Sequence, residues 1–170
     1  MTNLRLSNAF TLGEVLTRAG VAYGDRPNHG LFVPLPDGAE WLSSNRRIHW
    51  TQRHRWTATW RETSGWLARA AKVPSLGPSR VIAELWMRPR RRSRIDPANY
   101  SATAKPIVDG LVDARIWPDD SSHWVTGPDM RLGPPVKTPH PEGVLLLIWG
   151  QPCCRDACCH HHRQEGGEAA

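Results

Sequence analysis

Apolar residues are grouped along the chain in short runs of the length expected for buried strands. Such runs occur at residues 31–36, 80–88 and 144–149, and the last of these, VLLLIW, is the longest in the chain. A fourth strand is predicted at residues 122–126. Prolines at positions 34 and 36 weaken the first strand, because proline cannot donate a hydrogen bond to a neighbouring strand.

Between these runs, apolar residues recur at helical spacing and predict a first helix over residues 52–72. Trp56, Trp60 and Leu67 share one face of this helix, and we expect the two tryptophans in the core. Pro74 and the glycine and proline that follow it are expected to end the helix.

A second helix with one apolar face is predicted within residues 97–115, and its first residue is ambiguous. Asp96 followed by Pro97 forms a good N-cap with a first-turn proline, in which case Pro106 kinks the helix. A start at Pro106, after a loop, is the alternative.

The interleaving of strands and helices predicts the α/β or α+β class, with a small mixed β-sheet and two main helices. We expect this domain to span residues 31–150. Residues 1–30 precede it as an N-terminal arm with a short helix near residues 12–19. The polar, glycine-rich residues 151–170 are predicted to be a disordered tail that contains cysteine and histidine.

No apolar run approaches the roughly 20 residues of a membrane-spanning helix, and the N-terminus lacks the pattern of a signal peptide. All four cysteines lie in the tail, so no disulfide framework is expected in the domain. These features predict a cytoplasmic protein with no membrane partner.

The tail sequence CCRDACCHHH lacks the paired C-x-x-C of a structural zinc site. A basic interaction module that binds zinc through this tail is therefore kept only as an alternative function.

Positive charge is concentrated in the middle of the chain. The formal net charge is +6, yet residues 46–94 contain thirteen arginines and lysines and only two glutamates. A basic segment of this density favours a polyanionic partner, most often nucleic acid, over a merely solvated surface. Trp50 lies among these cations, where it is a candidate for stacking on unpaired bases. The residues predicted to contact DNA are Arg46, Arg47, Arg53, Arg55, Arg90, Arg91, Arg92 and Arg94.

A spaced set of carboxylates and one lysine follows the arginines. Divalent cations such as Mg²⁺ bind carboxylate oxygens, and a nuclease uses them together with a cationic side chain that holds the phosphate. Arginines beside such carboxylates are therefore the parts of a phosphodiester-cleaving site. Asp109 and Asp113, four residues apart, are instead expected on a solvated helix face. The set consists of Asp96, Lys105, Asp109, Asp113, Asp119 and Asp120.

The order and spacing of these residues resemble the RusA-type Holliday-junction resolvases, a family of endodeoxyribonucleases often carried by prophages. The family pattern reads D-x-D-N, then K-x-x-x-D-x-L, then a D-D pair. Residues 96–99 (DPAN) match the first element in part, and residues 105–111 (KPIVDGL) match the second. Residues 119–120 are the aspartate pair, and residues 42–50 (LSSNRRIHW) resemble the family's Asn-Arg loop. The resemblance covers about residues 31–149.

The resemblance implies a homodimer that resolves four-way DNA junctions by paired symmetric nicks, with Mg²⁺ as cofactor, in DNA recombination and repair. Asp96 and Asp120 would be catalytic residues that bind the metal. Lys105 would contact the scissile phosphate, and Asn99 would belong to the same site.

Two departures from the family pattern bear on activity. Ala98 stands where the family has its second aspartate, and three extra residues separate Asn99 from Lys105. Asp119 or Asp109 would have to supply the missing metal ligand. A DNA-binding relative of the same fold without catalysis is therefore the alternative function, and the acids converge either within one chain or across a dimer.

Overall fold

The apolar segments pair into one four-stranded mixed sheet, which two helices accompany in an α+β arrangement. The computed structural model describes residues 26–92 and 95–153. The strands are β1 (His29–Pro34), β2 (Ser79–Trp86), β3 (Val125–Leu132) and β4 (Gly143–Trp149), and they lie in the order β1-β4-β2-β3. The helices are α1 (Trp50–Ala70) and α2 (Ser101–Asp113).

Strand direction determines which loops meet. The last strand, β4, is antiparallel to both β1 and β2, whereas β2 and β3 are parallel. The strands β1, β2 and β3 therefore all run the same way, and the segments that follow them leave the sheet at one edge. These segments are residues 35–49, 87–100 and 133–142, and we call this edge the carboxyl edge. In open α/β sheets, ligands are usually bound at this position.

Both helices pack on one face of the sheet. Alternate strand residues such as Val81, Ala83 and Leu85 form one buried cluster with Trp56 and Trp60 of α1. The two tryptophans are 4% and 0% exposed, which confirms the prediction that they belong to the core. The other face carries a smaller apolar cluster that is built from the intervening strand residues and Val136.

The two helices approach each other closely at a pair of glycines. A side chain at Gly110 would come within 2.2 Å of the Arg61 carbonyl oxygen, and one at Gly65 within 2.8 Å of the Gly110 carbonyl oxygen. Ser64 occupies the same crossing and donates a hydrogen bond to the Ile107 carbonyl at 3.1 Å. The glycine of the sequence KPIVDGL is therefore required by helix packing.

The second helix follows a short 3-10 helix, Pro97–Tyr100. Asp96 caps that turn, because its carboxylate accepts a hydrogen bond from the Ala98 N–H at 3.0 Å. The helix α2 then continues from Ser101 through Pro106. The helical backbone therefore begins at Pro97, the earlier of the two starting points that the sequence allows, but its first turn is a 3-10 helix and the α-helix itself begins at Ser101.

Two strand predictions need correction. The strand predicted at residues 122–126 begins only at Val125 and continues to Leu132, because its polar sequence is paired along one edge of the sheet rather than buried. The first strand is His29–Pro34 instead of residues 31–36, and it ends at the first of the two prolines. The predicted N-terminal helix, Arg94 and the Cys/His tail after residue 153 lie outside the described residues.

Two further findings concern the expected environment. Within the described ranges, no helix is long and apolar enough to cross a membrane. Cys153, at the end of the described chain, is disulfide-bonded. The predicted lack of a disulfide framework applies to the domain at residues 31–150. These residues contain no cysteine.

Candidate functional site

The Asn-Arg loop lies directly against the DPAN segment. The Ser44 N–H donates to the Asn99 carbonyl oxygen at 2.8 Å, and the Ser44 hydroxyl donates to the Asn99 side-chain oxygen at 3.1 Å. The two segments are 55 residues apart in sequence and both leave the sheet at the carboxyl edge. Two elements of the family resemblance are thus joined through their asparagine and serine side chains and backbones.

A second pair of motif elements meets at Lys105. The Lys105 ammonium donates hydrogen bonds to Asp109, one turn further along α2, and to Asp120, which is 15 residues away. The Lys105 side chain is 60% exposed, whereas Asp109 is 24% and Asp120 is 40% exposed. The three side chains form a surface cluster at which an approaching phosphate can still reach the ammonium.

Electrostatics keeps Lys105 and Asp120 ionised. Partial burial lowers the pKa of Lys105, but the hydrogen bonds to Asp109 and Asp120 outweigh it, and the net shift is upward. The hydrogen bond from Lys105 lowers the pKa of the Asp120 carboxyl. At neutral pH the lysine is therefore a cation and the aspartate an anion.

The chain after α2 folds back because two large apolar residues anchor it. Ile116 and Trp117 are 2% and 1% exposed, and the Trp117 indole N–H donates to the Ser79 hydroxyl at 3.0 Å. Asp119 then accepts the Ser121 N–H at 2.7 Å and tightens the turn. This anchored turn brings Asp120 to Lys105 within a single chain.

Asp96, the first predicted metal ligand, has a different role in this geometry. Its carboxylate is exposed and caps its own 3-10 helix, and it has no hydrogen bond or ion pair with Lys105. Among residues 26–92 and 95–153, no group of three or more histidine, cysteine, aspartate or glutamate side chains is placed to hold a metal ion. The predicted ligands Asp96, Asp119 and Asp120 are therefore not assembled as one three-carboxylate group.

The arginines of the first basic segment, residues 46–55, project at the carboxyl edge beside an exposed tryptophan. Trp50 is 74% exposed, and its ring lies 5.9 Å from that of His49. Within the described chain, the guanidinium groups of Arg47 and Arg55 make no ion pair or hydrogen bond. This segment combines available cations with an open aromatic face, as a surface that holds single-stranded nucleic acid requires.

The remaining cations of this segment have partners. Arg46 pairs with Glu40, and its guanidinium carbon lies 5.6 Å from the centre of the Trp56 ring. Arg53 donates to the Ser43 carbonyl at 3.5 Å. Trp56 is buried and donates its indole N–H to a backbone carbonyl at 3.0 Å, so it is not open to a base.

The second basic segment, residues 88–92, is held by the loop that follows β3. Arg88 donates to the Thr138 hydroxyl at 2.7 Å, Arg91 pairs with Glu142 at 3.5 Å, and Arg92 donates to the Gly133 carbonyl. Only Arg90 in this segment makes no side-chain bond to the described residues. Most of these arginines therefore stabilise a loop junction.

Glu142 was not anticipated from the sequence. It is 51 residues from Arg91, its side chain is only 11% exposed, and it also accepts the Arg88 N–H at 2.8 Å. No spacing rule connects such distant residues. The contact of Lys105 with Asp109, in contrast, has the four-residue spacing of a helical ion pair and is predictable from the sequence.

The arrangement offers a cationic surface, an exposed indole and a lysine between two carboxylates. These are the residue types that charge stabilisation at phosphorus requires, namely cationic side chains and carboxylate oxygens. The chain matches no protein-family model, and no curated protein matches it.

Proposed function

We propose that this protein is a RusA-like endodeoxyribonuclease that nicks four-way DNA junctions. The observation that carries the proposal is the contact between Lys105 and Asp120, because these residues belong to separate elements of the family resemblance. The link between Ser44 and Asn99 joins two further elements in the same way. Charged residues scattered at random over a surface would not be expected to bring four separate motif elements together in pairs.

Different residues of the chain bind the DNA backbone and act on the scissile phosphate. The arginines at the carboxyl edge hold the DNA backbone, since each contact with a phosphate releases counterions and favours binding. Lys105 holds the scissile phosphate and stabilises the negative charge that grows on it. For this, the ammonium exchanges its hydrogen bond with Asp120 for one with the phosphate.

Mg²⁺ is the proposed cofactor, and the donor set is compatible with it. The ion is commonly bound by one or two carboxylates, with water and phosphate oxygens completing the coordination. Asp120 with Asp119 would hold it here, and Asp96 would join them only with a rearrangement of its 3-10 helix. When bound, the cation supplies an activated water and charge neutralisation at the phosphate.

Two symmetric nicks require two sites, so we propose a two-fold homodimer as the active species. Sedimentation velocity at micromolar protein concentration, with and without a synthetic four-way junction, measures this. A dimer in either condition agrees with the proposal, and a monomer in both argues strongly against junction resolution.

The decisive experiment is cleavage of a synthetic four-way junction with and without Mg²⁺. The Asp120→Asn variant keeps the size of the side chain but removes a strong metal ligand, so cleavage is lost while junction binding is retained. Lys105→Ala slows cleavage more than it weakens binding. Asp113→Asn is the matched control, because Asp113 lies on the same helix but pairs with Arg61. If Asp120→Asn cuts as fast as the wild-type protein, the site is assigned wrongly.

A second candidate function is DNA binding without cleavage. Ala98 occupies the position of a family aspartate, and the described residues contain no three-carboxylate group. Ala98 is exposed, so an aspartate side chain fits there. If only this ligand is missing, Ala98→Asp introduces Mg²⁺-dependent nicking into a protein that otherwise binds junctions without cutting them. Nicking by the wild-type chain rejects this candidate.

A further inference from the structure

A pocket of about 370 Å³ opens beside the smaller apolar cluster, on the sheet face away from the helices. Its volume is at the lower end of the roughly 300–1,000 Å³ that small-molecule sites occupy. It therefore suits one nucleotide-sized group and not a duplex. The pocket is lined by Trp86, Pro134, Val136, Lys137, Thr138 and His140.

The wall of this pocket is fixed before any ligand arrives. The Gly133 N–H donates to the Leu85 carbonyl at 3.1 Å, and the Val136 N–H donates to the Met87 carbonyl at 3.0 Å. These bonds continue the β2–β3 pairing beyond the end of the strands. Prolines along the wall restrict its backbone further. A pre-formed pocket of this kind avoids part of the entropic cost of binding.

The pocket shares its wall with the second basic segment. Arg88 donates to Thr138, a lining residue, and Arg92 donates to the carbonyl of Gly133, which directly precedes the lining prolines. Lys137 is exposed and makes no ion pair with the described residues. Two acids lie near this wall. Glu142 is already paired with Arg91, and Glu84 is buried and accepts the Trp86 indole N–H at 3.2 Å. The rim is therefore positively charged and the floor apolar.

We propose that this pocket binds one unpaired nucleotide of a DNA strand. The base packs against the proline wall above Trp86 and Val136, and the phosphate lies on Lys137. Charge complementarity and pocket size select this occupant, which carries a flat apolar group and an anion on one unit. The inference rests on the proposed function, since branched DNA is what brings an unpaired nucleotide to the carboxyl edge.

The test uses backbone amide NMR shifts of the full-length chain titrated with deoxythymidine monophosphate and, separately, with sodium phosphate. We expect the nucleotide to shift the amides of Val136, Lys137 and Thr138. Lys137→Ala should weaken this response about tenfold through loss of a phosphate contact. Arg69→Ala, in the last turn of α1, loses the same charge elsewhere and should leave the response unchanged.

Each other outcome overturns the nucleotide pocket. Equal shifts at these amides with phosphate alone indicate a simple anion site. Nucleotide shifts confined to residues 46–55 leave the proposed DNA-binding function standing but reject the pocket. If neither the nucleotide nor a synthetic four-way junction binds at all, the pocket and the proposed function both fail.

Discussion

The two basic segments of the chain look alike in sequence and differ in the structure. Residues 46–55 and residues 88–92 each contain four arginines. In the first segment Arg47 and Arg55 have no side-chain partner among the described residues, and Trp50 beside them is open to solvent. In the second, Arg88, Arg91 and Arg92 are bonded to the loop at residues 133–142.

This difference shows that a count of cations overstates the number of guanidinium groups that are available to bind an anion. An arginine that already bonds to a carbonyl or a carboxylate must lose that contact before it can hold a phosphate. Among residues 26–92 and 95–153, the only carboxylate that pairs with an arginine of the first segment is that of Glu40, at Arg46. Under the proposed function, phosphate binding therefore falls mainly to the first segment, whereas the second segment mainly attaches the loop at residues 133–142.

The largest expected effect is on DNA affinity. The double variant Arg47→Ala/Arg55→Ala should weaken junction binding about tenfold or more. It should also reduce the slope of log affinity against log salt by about two, because two phosphate contacts are lost. Fluorescence anisotropy with a labelled junction across a salt series measures both quantities.

The matched control is the double variant Arg91→Ala/Arg92→Ala, which removes the same charge from the second segment. Its salt slope should remain close to that of the wild-type protein, because these guanidinium groups are already bonded. Equal losses of slope in the two double variants would remove the distinction between the segments.

The next effect concerns the exposed indole of the first segment. Trp50→Ala should weaken binding to a single-stranded oligonucleotide by about 1–3 kcal/mol, the usual contribution of one stacked base. Trp66→Ala is the control, because Trp66 is also exposed, at 62%, but lies outside both basic segments. Anisotropy titrations that give the same affinity for the two variants would exclude stacking on Trp50.

A smaller effect is expected on stability, and in the second segment only. Glu142→Ala removes the partner of Arg91 and leaves the Arg88 N–H without its acceptor. The free energy of unfolding should fall by about 1–3 kcal/mol, the cost of a part-buried donor that loses its bond. Urea denaturation measures the loss. The Arg47→Ala/Arg55→Ala protein should unfold at nearly the wild-type urea concentration, and a comparable loss there would contradict the assignment.

Local patterns predict most of the fold. The positions of α1, β2 and β4 follow from runs and spacings of apolar residues, and burial confirms Trp56 and Trp60 as core. The polar edge strand β3 begins and ends later than its sequence predicts, because its pairing with β2 depends on distant residues and leaves no apolar run.

Some contacts of the candidate site can likewise be predicted from the sequence, and others cannot. The helical spacing of Lys105 and Asp109 is visible in the sequence, and the family resemblance brings in Asp120. The contacts of Arg91 with Glu142 and of Ser44 with Asn99 are not visible, because each joins segments that only the sheet topology brings to one edge. In the second segment, contacts of this long-range kind decide which arginines remain available.

The smallest expected effect extends the comparison to Arg61, an arginine of α1 that is bonded like those of the second segment. Its guanidinium donates two hydrogen bonds to Asp113, at 2.5 and 2.7 Å, and the pair joins α1 to α2. Both side chains are nearly half exposed, so Asp113→Asn should lower the free energy of unfolding by less than about 1 kcal/mol at pH 7. Junction binding should not change.

The pH dependence of this pair has a definite sign. The hydrogen bond from Arg61 lowers the pKa of the Asp113 carboxyl below its ordinary value of 3.8. The pair therefore stabilises the folded protein above that pH, and the contribution is lost as the pH falls through the lower folded-state pKa. Urea unfolding between pH 7 and pH 3 should show the wild-type protein losing its small advantage over Asp113→Asn only below about pH 4. If the wild-type protein remains more stable than Asp113→Asn by the same amount down to pH 3, the substitution acts through packing at the helix crossing and not through the ion pair.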